Sequence, residues 1–112
     1  MSGGATILEK VHFAIEHLLD TPDGWRPLVR EMAARWPDDS ASEIVYALVK
    51  AASEIESMFG EGSPARSGAE KGWRLAALLG LDFYAMEELG LPRAKAAHLE
   101  GYWKIDPYFR EL

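Results

Sequence analysis

Trp73-Arg-Leu-Ala-Ala-Leu-Leu-Gly-Leu-Asp-Phe-Tyr-Ala-Met-Glu-Glu-Leu-Gly-Leu-Pro-Arg-Ala-Lys-Ala-Ala-His-Leu-Glu-Gly-Tyr-Trp103 contains two Leu-Gly-Leu steps, at residues 79–81 and 89–91. At each step a glycine follows an apolar run, where it can adopt a left-handed backbone conformation without steric penalty and so end a helix. Helices are therefore expected at about residues 67–79, 82–89 and 92–103, meeting at two corners. No β-branched alternating run appears on either side of this stretch, so the whole chain reads as all-α.

Working outward, Gly60-Glu-Gly-Ser-Pro-Ala-Arg-Ser-Gly68 has the turn-forming composition of an exposed loop at about residues 60–68. Before it, apolar residues at helical spacing predict a helix over about residues 41–59, the longest and most apolar of the chain. Ile44, Leu48, Ala51, Ile55 and Met58 form its main stripe, with Val45, Val49, Ala52 and Phe59 beside them, so it should be the central helix, packed on more than one side. Two further helices are expected at about residues 7–19 and 25–36, and a last short turn after Asp106-Pro107. Three starts share a hydroxyl followed three residues later by Glu: Thr6 with Glu9, Ser40 with Glu43, and Ser67 with Glu70. Each pair can form a capping box, which assigns those glutamates a structural role.

The expected fold is thus a single helical domain over residues 1–112, a compact bundle of five to seven helices around the 41–59 helix. A chain of 112 residues with 48% hydrophobic content suffices for one core. Cysteine is absent, which suits a reducing compartment and removes thiolate chemistry. The first residues lack the basic and apolar regions of a secretory signal, and no apolar run reaches the ~20 residues of a membrane span, so a cytoplasmic chain with no membrane partner is expected.

Net charge is −6, and the acidity belongs to the first half: residues 1–61 hold five Lys or Arg against eleven Asp or Glu. Such a balance disfavours broad attraction to nucleic acid, because phosphate binding needs a clustered positive surface. Even so, the two corners resemble helix-turn-helix units over about thirty residues. In one frame Leu75, Ala76, Leu79, Gly80, Leu81, Met86 and Leu89 take the required positions, but the second helix carries Asp82, Glu87 and Glu88. In the other frame the helix at about residues 92–103 would present Arg93 and Lys95, with Lys104 just beyond, although Met86 stands where a small residue is wanted. A DNA-binding regulator with those three contacts is the alternative reading.

Glu9-x-x-His12 has the spacing of half a di-iron site, but no second Glu-x-x-His completes it, so neither metal nor cofactor is expected. Nucleophile-elbow, Walker and dinucleotide glycine patterns are absent, and no catalytic residues are assigned. Arg66 beside a helix start near Ser67 could hold an anion there.

Phe13 is the most specific anomaly. At about 100° per residue it falls opposite Val11, Ile15 and Leu18, among Glu9, Glu16 and His17, so something should cover it. Tyr102, Trp103, Tyr108 and Phe109 are a second aromatic concentration. Either the tail folds back across the domain or these five residues form an interface, a symmetric dimer being the commonest oligomer. The functional expectation is a non-enzymatic protein-interaction or self-association module, partnered by a second copy or another protein; a small-ligand-binding helical domain is a further alternative.

Overall fold

A computed structural model describes residues 6–112, and along them the apolar periods become six α-helices: α1 (Ile7–Asp20), α2 (Trp25–Arg35), α3 (Ala41–Met58), α4 (Arg66–Glu88), α5 (Ala96–Tyr102) and α6 (Tyr108–Glu111). Thr6 caps α1 as expected: its hydroxyl accepts from the Glu9 N–H at 3.2 Å, and the Glu9 carboxylate accepts from the Thr6 N–H at 3.4 Å. The other two capping boxes do not form. Glu43 instead takes the Lys10 ammonium at 2.7 Å, and the Ser40 hydroxyl pairs with Ser42. Ser67 lies inside α4, its hydroxyl donating to the Pro64 carbonyl. A cap is a weak local preference, and at both places a tertiary partner or an earlier helix start displaced it.

α3 is central: it touches α1, α2, α4 and α5. Leu48 and Ile55 are fully buried there, so changing either to Ala is expected to cost about 2 to 5 kcal/mol by lost transfer energy and cavity formation. Urea unfolding followed by circular dichroism measures this; a loss under ~1 kcal/mol would mean the site collapses around the missing atoms.

The longest helix, however, is α4, at 23 residues against 18 for α3. Residues 67–79 and 82–89 were expected to be separate helices, but they are one, with Gly80 inside it. The two Leu-Gly-Leu steps therefore behave differently. Gly90 has φ +71°, its N–H reaches the Glu87 carbonyl at 3.0 Å, and the Leu91 N–H reaches the Met86 carbonyl at 2.9 Å. This paired pattern is a Schellman stop. Gly80 keeps helical geometry because Leu75, Leu79 and Met86, all buried, lie on one stripe that a break would divide.

Glycine elsewhere in α4 has a packing reason. A Cβ on Gly68 would lie 2.7 Å from the Leu18 carbonyl oxygen, and one on Gly72 would lie 3.1 Å from the Ala52 Cβ. α4 can therefore approach α1 and α3 closely at these points. The loop before it is held by Arg66, whose guanidinium donates to the Glu56 and Phe59 carbonyls at 3.0 and 3.1 Å. Arg66 thus closes the C-terminal end of α3, where a positive charge is favoured.

After α4 the chain is irregular over residues 91–94, with a bend at Ala94, and an isolated antiparallel bridge joins Lys95 to Ser40. Ala41 N–H donates to the Ala94 carbonyl and Ala96 N–H to the Asp39 carbonyl, each at 2.9 Å. α5 thus starts at Ala96 rather than near residue 92.

Candidate functional site

All five residues expected at an interface make contacts within the chain, Tyr108 by meeting Phe109 edge-on at 5.3 Å. Trp103 and Phe109 are each 1% exposed and pack with ring centroids 5.4 Å apart, and Tyr102 is also buried. Phe13 is half-buried: it stacks on His17 at 4.3 Å, meets Trp36 edge-on at 5.2 Å and lies under the Arg35 guanidinium. α1 and α2 residues supply this cover, and the tail packs elsewhere. Tyr108, 40% exposed, retains a substantial open surface. The expected five-residue interface therefore reduces to Tyr108 and one edge of Phe13, because closing the core needed the other rings.

Arg93, Lys95 and Lys104 do not share a helix. Arg93 lies in the irregular segment between α4 and α5 with its guanidinium 3.7 Å from Glu87, Lys95 carries the bridge to Ser40, and Lys104 follows the end of α5. The 92–103 recognition helix is replaced by a seven-residue helix, Ala96–Tyr102. Pro92 disfavours helical geometry at Leu91, and Lys95, paired with Ser40, has φ −110° and ψ 154°, so α5 begins only after it.

Two buried polar groups escaped the sequence reading. The Lys10 ammonium, 1% exposed, lies 2.9 Å from Asp39 and 2.7 Å from Glu43. Burial pulls its pKa down, but the bonds to Glu43 and Asp39 outweigh this and hold it above 10.5. A signal was present: Lys10 precedes the buried Ala14 by one turn and Leu18 by two, on the core stripe. Asp82, also buried, accepts from the Trp103 indole N–H at 3.0 Å. Burial raises its pKa, the indole bond lowers it and Asp106 raises it again, leaving it net raised. Tyr102 is pushed up as well, by burial and by the charges of Asp82 and Asp106. These groups tie α1 to α3, and α4 to the tail.

One apolar surface that remains open is the outer face of α4. Trp73, Leu81 and Tyr84 are 37%, 67% and 64% exposed, and Ala77 and Gly80 lie exposed between them. At about 100° per residue they occupy the side opposite Leu75, Leu79 and Met86, so α4 carries two apolar stripes. The Trp73 indole N–H is already satisfied by Glu56 at 3.0 Å. A Cβ added to Gly80 would meet nothing within 4 Å. The second stripe was readable in the spacing, but a corner placed at Gly80 cut it in two.

A second open feature is a groove of about 710 Å³ between α2, α5 and the tail, bounded by Arg30, Lys104 and Arg110 among others. Among the described residues no group of three or more His, Asp or Glu stands at metal-holding distance. No described helix is long and apolar enough to cross a membrane. Comparison of the chain with protein-family models, curated proteins and solved structures gives no match.

Proposed function

We propose that this chain is a non-enzymatic, cytoplasmic protein-interaction module that self-associates through the outer face of α4. The observation that carries this reading is Gly80. A glycine inside a helix costs about 0.5 to 1 kcal/mol relative to alanine, and here no intrachain contact requires it. Gly68 and Gly72 are explained by neighbours; Gly80 is explained by a backbone approaching from outside.

The surrounding residues fit a second copy packed antiparallel. Trp73 and Tyr84 are equidistant from the midpoint between Leu78 and Leu79, and so are Ala77 and Gly80. Antiparallel pairing about that midpoint sets Trp73 against Tyr84 and Ala77 against Gly80, so rings flank a close central contact as a twofold interface requires. The same register sets Glu70 opposite Glu87 at each end, where Arg74, one turn after Glu70, and Arg93, 3.7 Å from Glu87, supply positive charge. Trp and Tyr are the residue types that contribute most at such interfaces.

Sedimentation equilibrium tests the reading. The expected result is a dimer that Leu81→Glu or Tyr84→Glu converts to a folded monomer. Gly80→Ala is more diagnostic: it should stabilise the monomer by about 0.5 to 1 kcal/mol while weakening the dimer. A native chain that stays monomeric at every accessible concentration refutes the proposal.

A further inference from the structure

The groove between α2, α5 and the tail gathers Arg30, Lys104 and Arg110 in a chain whose net charge is −6. Among the described residues none of these three cations forms an ion pair. The Arg30 guanidinium is held by one bond, Nη1 donating to the Phe109 carbonyl at 3.2 Å. Two carboxylates, Glu31 and Glu100, line the same groove, and Glu31 also accepts from His17 Nε2 at 2.7 Å. Three cations against two carboxylates leave the groove net positive, and an anion among the cations relieves their mutual repulsion.

The groove also has room and an apolar wall. Its volume of about 710 Å³ falls within the range of small-molecule sites, and Ala34, Ala97 and Gly101 line it with small groups. Guanidinium groups present planar forks of donors that match a carboxylate, and a nearby ammonium adds a point charge. We infer that this groove binds a small organic carboxylate, its anionic end between Arg30, Lys104 and Arg110 and its apolar body against Ala34, Ala97 and Gly101. The site is separate from the outer face of α4, so it stands or falls independently of self-association.

The experiment is an NMR titration of the ¹⁵N-labelled full chain with phenylacetate as the probe, against phenylacetamide of the same shape without charge. Saturable shifts are expected at the Ala34, Ala97 and Gly101 amides, with the amide analogue at least about tenfold weaker. Lys104→Gln and Arg110→Gln, both at exposed positions, should each weaken phenylacetate about tenfold, while Lys50→Gln on α3, also exposed, leaves it unchanged. No saturable shift at millimolar phenylacetate, equal affinity for phenylacetamide, or indifference to both groove substitutions would each overturn the inference.

Discussion

Lys10→Ala is expected to destabilise the chain by about 3 to 5 kcal/mol at neutral pH, among the largest effects of any single substitution here. The loss comes mainly from what is left behind. Asp39, 7% exposed, would keep its charge without the ammonium that now sits 2.9 Å away. Changing Lys10→Met together with Asp39→Asn should recover most of the stability, because no unpaired buried charge remains. The pH dependence has a definite sign. Since the Lys10 pKa is raised in the folded state, its contribution is fully present below 10.5 and is lost as pH rises through the higher folded value. Urea midpoints of the native chain and the variant should therefore converge only in strong alkali. A difference under ~1 kcal/mol at pH 7 would show the pair to be solvated.

Trp103→Ala should cost about 3 to 5 kcal/mol, since it empties a fully buried ring site beside Phe109 and removes the donor to Asp82. Asp82→Asn separates the two contributions. Burial raises the Asp82 pKa above 3.8, so its ionised form is disfavoured in the folded chain. Its favourable contribution is complete below 3.8 and declines as pH rises through the folded value. Asparagine keeps an oxygen for the Trp103 indole and carries no charge. The expected outcome is a higher melting temperature at pH 7 and a flatter profile in mild acid. Asp82→Leu, which strands the indole N–H, should instead lose about 1 to 3 kcal/mol. If Asp82→Asn destabilises as much as Asp82→Leu, the carboxylate charge itself holds the tail, and burial is not the dominant influence.

The two stability predictions and the self-association proposal concern different parts of one design. Lys10 and Asp82 fix α1 and the tail to the α3 and α4 pair. With those elements fixed on the inner side, the outer stripe of α4 is left uncovered. Loss of stability and loss of association should therefore separate by mutation: Lys10 and Trp103 changes report on folding, and Leu81 and Tyr84 changes report on assembly.

Periodicity alone determined a good deal of this protein. The all-helical class, the bounds of α1, α2 and α3 to within one residue, the central position of α3 and the Thr6 cap all follow from local spacing. They do so because an amphipathic stripe and an N-terminal cap are encoded within a few consecutive residues. Tertiary structure decided the rest. Both Leu-Gly-Leu steps look alike locally, yet Gly90 stops a helix and Gly80 does not, because a single buried stripe runs unbroken past Gly80. Ser40 and Glu43 match a capping box, but Lys10, thirty-three residues from Glu43, claims the carboxylate. Phe13 needed cover, and only the packing of α2 shows that Trp36 and Arg35 provide it. The outer stripe of α4 was present in the spacing and was divided only by a corner placed at Gly80, whereas the cations of the groove come together from α2 and the tail and were hidden for the same reason. Whether an apolar side chain closes a core or faces water, and whether a cation finds a carboxylate, depends on neighbours distant in the chain, which no local pattern records.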